Sequence, residues 1–389
     1  MAPPRKDRDI PYHLIHTHLL PRLPYKTLNR FKCVSKSFNS LITADAQFAA
    51  DQTRSAHASS GCFVYMSSCC LSFFPDAAFI GVPDPSLGFL NPSSTETESD
   101  EVKLVTSTNG LLLLCGKFNG KKSICVCNPA TREAAFVSNN GREKSYRSEM
   151  GMVYDPCQSP HRFIIVELLL HNYGYGLQYQ FDVFLSDTSE WNHSRQTVCI
   201  DGSIVAASKP VCANGVIYWS CSKCLMWYDT EADLAGSITL PMIGGKVIEG
   251  QAHTGVYDGD VVYCRTWDGG IEVWRLTGGS HWDRLHGSRW DSMIGAFDFC
   301  HGMRLRGKNQ SEMFFKRWSP QPVGFDGRFV YFIVINQKCR DNRKRVFGWE
   351  CDTGRVQDKG EVIGGWCPDN VFNYVNSMTR VPRILSGIS

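Results

Sequence analysis

Four times along this chain an Asn-Gly or Asp-Gly pair opens a strand-length apolar run, and that recurrence narrows the folds open to it. The copies are Asn109-Gly110-Leu111-Leu112-Leu113-Leu114, Asn214-Gly215-Val216-Ile217-Tyr218-Trp219, Asp258-Gly259-Asp260-Val261-Val262-Tyr263 and Asp326-Gly327-Arg328-Phe329-Val330-Tyr331. An Asx-Gly pair supplies the left-handed backbone that a two-residue hairpin needs. A second element recurs beside it, a strand ending in an Asx or Thr turn. It occurs at Val126-Cys127-Asn128-Pro129-Ala130-Thr131, at Asp187-Thr188-Ser189, at Asp229-Thr230-Glu231 and at Asp352-Thr353-Gly354. These short polar side chains close turns by accepting from nearby backbone N–H groups. The combined unit returns about every forty to sixty residues, the size of a four-stranded propeller blade. Radial repetition also disposes of the edges that so many short strands would otherwise expose. The spacing predicts an all-β propeller of about six to seven blades over residues 61–380, with a two-sheet sandwich array as the rival architecture. Residues 381–389 are expected to form a tail.

Ahead of the propeller the texture is helical. Pro11 suits a first helical turn, and Leu14, Ile15 and Leu19 then fall on one face. Pro21 and Pro24 end that helix. A second helix is expected from Tyr25 to Phe31. Ser35 can cap a third that carries Phe38, Leu41 and Ile42, and Thr43 or Asp45 can start a fourth toward Ser55. A unit of this size buries a poor core alone, and its apolar residues exceed what that core absorbs. The chain is therefore expected to be an α+β multidomain protein: a charged, flexible segment over 1–9, a small all-α unit over 10–55, then the propeller.

These N-terminal residues resemble the F-box, particularly its plant form. Ile10-Pro11 matches the opening pair, and Leu14, Ile15, Leu19 and Leu20 match the leucine-rich helix. Arg22-Leu23-Pro24-Tyr25-Lys26-Thr27-Leu28 matches the R-L-P-x-K-[ST]-L segment, and Arg30 through Ile42 and then Phe48 match the remainder. The departures are Thr17 and His18, with His13 and His16 nearby, where the family usually carries an acid and a branched aliphatic. The region from Gly61 to Arg380 resembles the F-box-associated domain, close kin of kelch-type propellers. Thr108 to Leu114, Cys127 to Glu133 (C-N-P-A-T-R-E), Gly151 to Pro156, Glu272-Val273-Trp274 and Tyr374-Val375-Asn376-Ser377 carry that likeness in order. The regular glycine doublets of true kelch repeats are not present.

The resemblance implies a substrate-recognition adaptor. The helical unit would bind a Skp-type adaptor, and through it cullin and RING subunits of a ubiquitin ligase, while the propeller holds a target protein. Ile10, Pro11, Leu14, Ile15, Leu19, Leu20, Leu23, Pro24, Leu28 and Val34 are the expected adaptor contact, some of them holding the helices together instead, and Cys33, Phe31, Phe38 and Leu41 are the expected core. No catalytic residue or cofactor is implied. The alternative class is a propeller enzyme, or a carbohydrate- or ligand-binding module, with a helical cap. It would bury the apolar helical face against the propeller.

Other features are plainer. A net charge of +3 over 389 residues points to neither a nucleic-acid nor a membrane partner. No apolar run approaches bilayer length, and no signal core follows the charged start, so a cytoplasmic or nuclear setting is expected. The 17 cysteines are expected as reduced thiols, many in cores, and the sequons at Asn192 and Asn309 as unused. Cys125-Val126-Cys127 and Cys221-Ser222-Lys223-Cys224 lie too far apart to read as one zinc site. A redox C-x-x-C is expected beside a helix N-terminus, and none is predicted there. Asn91 to Asp100 reads as a solvated acidic loop. The basic stretch from Lys338 to Arg345 reads as a charged hairpin tip or as a docking patch. On the second reading Lys338, Arg340 and Arg343, with Trp267 on another loop, contact the target. The abundant tryptophans are otherwise expected between blades.

Overall fold

In a computed structural model the structure describes residues 11–23, 25–55, 61–66, 70–75, 87–90, 102–118, 120–138, 149–173, 176–200, 209–242, 251–293, 318–335, 344–362 and 371–384. The acidic stretch 91–100 lies outside them.

The N-terminal unit begins with a single α-turn, α1 (Tyr12–Leu14), that widens into a π-helical segment over Ile15–Leu19 and tightens to a 3-10 turn over Leu20–Arg22. The expected first α-helix is thus wound unevenly, and Pro21, which has no N–H to donate, sits inside the 3-10 turn. Then come α2 (Tyr25–Phe31), α3 (Lys36–Ala44) and α4 (Ala46–Ser55). Ser35 caps α3 as the sequence predicts, its Oγ accepting from the Phe38 N–H at 3.1 Å. Asp45 caps α4, its carboxylate accepting from the Phe48 N–H at 2.8 Å.

The strands follow in order. A hairpin of β1 (Gly61–Met66) and β2 (Cys70–Pro75) precedes the first four-stranded blade, built of β3 (Lys103–Thr108), β4 (Leu111–Phe118), β5 (Lys121–Asn128) and β6 (Glu133–Val137). The second blade is β7 (Met150–Tyr154), β8 (Phe163–Tyr173), β9 (Gly176–Leu185) and β10 (Glu190–Ile200). The third is β11 (Val211–Ala213), β12 (Val216–Ser220), β13 (Cys224–Asp229) and β14 (Leu234–Thr239). The fourth is β15 (Gln251–Tyr257), β16 (Asp260–Trp267), β17 (Gly270–Thr277) and β18 (His281–Arg289). The fifth is β19 (Gln321–Phe325), β20 (Phe329–Ile335), β21 (Lys344–Glu350) and β22 (Val356–Val362). Every pairing is antiparallel, and each blade is a simple meander.

The last strand, β23 (Val371–Tyr374), pairs with β1, Gly61 opposite Tyr374, to make a three-stranded sheet in the order β2-β1-β23. Among the described residues there are five four-stranded blades beside this three-stranded sheet, and the expectation of six to seven blades is not confirmed. Recurrence spacing counts chain length, and it does not register a sheet assembled from strands some three hundred residues apart.

Asn109-Gly110, Asn214-Gly215 and Asp258-Gly259 all have positive φ at both residues (45° and 86°, 50° and 81°, 53° and 81°), the backbone of the type I′ hairpin turn. These tips also join neighbouring blades. The Asn109 side chain donates to the Tyr154 carbonyl at 2.7 Å, and the Asn214 side chain donates to the Gly259 carbonyl at 3.1 Å. Asp326 behaves differently. Its carboxylate accepts from the N–H groups of Arg328 and Phe329 at 2.9 and 2.6 Å, an Asx turn in which Gly327 alone is left-handed, with φ 89°.

The core lies between adjacent sheets. Phe181, Trp219 and Tyr228 pack between the second and third blades, and Trp290, Phe332, Phe347 and Trp349 between the fourth and fifth. Trp219, Trp290 and Trp349 are fully buried, as expected of blade aromatics, whereas Trp227, Trp274 and Trp282 are half-buried. Cys125 and Cys127 lie in the apolar cluster that joins the first blade to Phe372 and Tyr374 of β23.

Candidate functional site

The helical unit has two sides, which meet different surroundings. Leu20, Tyr25, Leu28, Ile42 and Phe48 form its buried centre, and Met378, from the segment after β23, completes that centre. Phe31, Phe38 and Leu41 pack around it, as expected, while Cys33 is exposed. Cys33 therefore does not belong to the core that the sequence assigns it to; it sits in the turn after α2, past the buried face.

The segment after β23 is the seat of the unit. The Gln52 side chain of α4 donates to the Asn376 carbonyl at 3.2 Å and accepts from the Met378 N–H at 3.0 Å. Thr53 meets the hydroxyls of Ser377 and Thr379. From the opposite side, the Asn128 amide donates to the carbonyls of Ser377 and Thr379 at 3.0 and 2.6 Å. The Tyr25 hydroxyl donates directly to the Ala130 carbonyl, and Arg380 donates to the Thr43 carbonyl at 3.2 Å. Burial raises the pKa of the Tyr25 phenol, so it stays a donor. Residues 376–380 thus run as a strap between α4 and the first blade, bonded on both sides. Buried polar groups paired in this way fix geometry, because each bond would be costly to leave unmade.

The other side of the unit is open. Tyr12 is 53% exposed, Leu14 37%, Leu19 49% and Val34 64%, and Pro11 is also exposed. Of the remaining residues expected at the adaptor contact, Ile15 and Leu23 are half-buried, and Ile10 and Pro24 lie outside the described residues. Leu20 and Leu28, 2% and 0% exposed, are among those that hold the helices together: both lie in the centre shared with Met378. Helical periodicity groups residues by face but does not say which face the rest of the chain will cover.

The residues expected to touch a target divide differently. Lys338, Arg340 and Arg343 lie outside the described residues. Trp267, at the end of β16, is half-buried against Gly269, where an added Cβ would come within 2.5 Å of the indole nitrogen. It neighbours a buried charged group in the fourth blade. Arg265 binds Glu272 through two nitrogens at 3.2 and 2.9 Å and donates to the Pro241 carbonyl at 2.9 Å. Trp274 also donates to Glu272 at 3.2 Å. Arg265 and Glu272 are cross-strand neighbours, their ion pair is made within the blade, and the remaining Arg265 bond ties it to the segment after β14, so the group reads as scaffold.

Among the described residues, no group of three His, Cys, Asp or Glu side chains could hold a metal ion. Burial pushes the thiols of Cys212 and Cys351 up to about 12, and that of Cys264 higher still, so these sulfurs keep their protons. No described helix is long and apolar enough to cross a membrane.

Fold and seat together define a β-propeller carrying a small helical module clamped to its rim by the segment that follows the last strand. Residues 65–239 match the F-box associated beta propeller domain family. The chain is similar to an F-box/kelch-repeat protein of Arabidopsis thaliana, 28% identical over 219 residues, covering 54% of this chain and 46% of that protein. It thus spans about half the length of this relative. Among solved structures, a TolB from Agrobacterium tumefaciens aligns with 72% of this chain and 90% of its own at 12% identity and TM-score 0.36. A nidogen/laminin complex aligns with 80% of this chain and 97% of its own at 9% identity and TM-score 0.38.

The seat residues Gln52, Thr53, Asn128, Ser377 and Thr379 were not singled out by sequence reasoning. A signal for them existed. The Cys127–Glu133 and Tyr374–Ser377 pieces each carry the family likeness, and the structure shows that they face each other across the seat.

Proposed function

We propose that this chain is a substrate-recognition adaptor of a cullin–RING ubiquitin ligase. Its helical unit binds a Skp-type adaptor, which links it to cullin and RING subunits, and its propeller binds a target protein. The observation that carries this reading is the exposed apolar set of Leu14, Leu19 and Val34 beside Tyr12. It lies on a unit whose buried centre is already covered by Met378 of the strap and by its own helices. A helical cap that served the propeller alone would have turned these residues inward.

The chain then acts by proximity. It holds the target close to a ubiquitin-charged enzyme carried elsewhere on the assembly, so that a bimolecular transfer becomes effectively intramolecular. It supplies position and no catalytic group. The cytoplasm and nucleus are its proposed compartments. The test is co-purification of the full chain with a purified Skp-type adaptor. The Leu14→Asp/Val34→Asp variant should lose the adaptor while keeping the wild-type melting temperature; retention of wild-type binding would overturn the proposal.

A further inference from the structure

The C-x-x-C at Cys221–Cys224 lies beside no helix. The structure sets it at a hairpin tip in the third blade, between β12 and β13. Ser220 pairs with Leu225 at the last rung of that ladder, and the Cys221 N–H donates to the Cys224 carbonyl at 2.8 Å just beyond it. The two cysteines therefore face each other across a two-residue turn. Strand residues that share backbone hydrogen bonds in this way have Cα atoms about 5.5 Å apart. That lies inside the roughly 4.4–6.8 Å that a disulfide spans.

The tip itself differs from the others. Ser222 and Lys223 have no left-handed residue between them, unlike the Asn109-Gly110, Asn214-Gly215 and Asp258-Gly259 tips. Its sequence lacks the turn chemistry that holds those hairpins. The two sulfurs also differ in access. Cys221 is 1% exposed in the core between the second and third blades, whereas Cys224 is half-buried at its margin.

We propose that Cys221 and Cys224 form a reversible dithiol–disulfide pair that closes when the protein meets hydrogen peroxide. Cys224, the more accessible sulfur, attacks as the thiolate. The O–O bond breaks, Cys224 becomes a sulfenic acid, and hydroxide leaves and takes up the proton that Cys224 released to solvent on ionising, giving water. The Cys221 sulfur then attacks Cys224. The S–S bond forms, the S–O bond breaks, and the hydroxyl departs as water with the Cys221 proton. In sum, two thiols lose two electrons and two protons, and one peroxide becomes two waters. The hydrogen bond between the two side chains keeps the Cys221 proton in place until that second step, and burial holds it further, so Cys221 is the resolving sulfur.

Lys223 makes the test direct, because trypsin cuts between the two cysteines. The folded full chain is treated with hydrogen peroxide, its remaining thiols are blocked with N-ethylmaleimide, and it is digested. The disulfide then joins the fragments 196–223 and 224–246, lighter by two hydrogens than their sum. Expected is that linked pair from folded protein, split by dithiothreitol, and absent from both Cys221→Ser and Cys224→Ser. Fragment 196–223 also contains Cys199 and Cys212, so a link that survives Cys221→Ser would overturn the assignment. Failure of the folded wild-type chain to form the link, when the same chain forms it in urea, would also overturn it. The wild-type result stands by itself if either variant fails to fold.

Discussion

The side chain of Gln52 pairs with the backbone around Met378 as a neighbouring strand would, donating to the Asn376 carbonyl and accepting from the Met378 N–H. One amide thereby joins α4 to a segment more than three hundred residues away in sequence. Met378 turns its own side chain into the helical core. The same short segment therefore serves as a polar rail for α4 and as part of the apolar centre it rests on.

Replacing Gln52 by Ala removes both bonds from a buried setting. The expected cost is about 1–3 kcal/mol, read as a lower urea midpoint of the full chain. An unchanged midpoint would show that the strap does not depend on this amide.

The two sides of the helical unit should respond oppositely to substitution. Leu28→Ala empties a fully buried site and should cost about 2–5 kcal/mol. Leu19→Asp alters a side chain 49% exposed and should change stability by no more than about 0.5 kcal/mol. Thermal melts of both variants decide this, and comparable losses would mean that the Leu19 side is covered.

Gly110 sits under the strap with φ +86°, and a Cβ there would lie 2.3 Å from the Ser377 Cβ. Gly110→Ala should therefore cost more than about 1 kcal/mol through backbone strain alone. It should also displace Ser377, giving faster hydrogen exchange across 376–380 than any comparable glycine substitution. Gly120→Ala is the control. It shares the positive φ of 79° but has nothing within 4 Å.

Burial lowers the pKa of His253, on β15, to about 3, with the Lys209 charge adding to the effect, and its Nε2 finds no hydrogen-bond partner among the described residues. The unfolded chain takes up a proton on this ring near pH 6.5, and the folded chain does not. Stability from His253 is thus fully present above about pH 6.5 and declines as the pH falls toward 3. Denaturation midpoints measured between pH 4 and 7 should slope downward with acid in the wild type and flatten in His253→Gln. An equal slope in the variant would assign the acid sensitivity elsewhere.

Much of the propeller was legible because its signals are local. The type I′ tips at Asn109, Asn214 and Asp258, the Asx turns at Asn128 and Asp229, and the Ser35 cap each depend on a few adjacent residues. The blade number was not, since β1 and β23 meet through chain closure, and no local pattern in either names the other. The apolar stripe of the N-terminal unit was legible too, but the division between covered Leu20 and exposed Leu19 was not. That division is decided by the centre that Leu20 shares with α2, α3, α4 and Met378, and nothing near residue 20 foretells it. The hairpin setting of Cys221 and Cys224 was likewise missed, because a C-x-x-C pattern fixes spacing and leaves open whether helix or turn carries it.

Because β23 closes the ring against β1 and the strap follows directly after it, the order of synthesis matters. The helical unit is synthesised some three hundred residues before the surface it rests on. A chain cut short before residue 371 would lack the ring's closing strand, the Met378 side chain and the rail for Gln52 together. The helices are therefore held against the blades only once residues 376–380 are present, so the seat of the helical unit and the closure of the sheet against β1 stand or fall together.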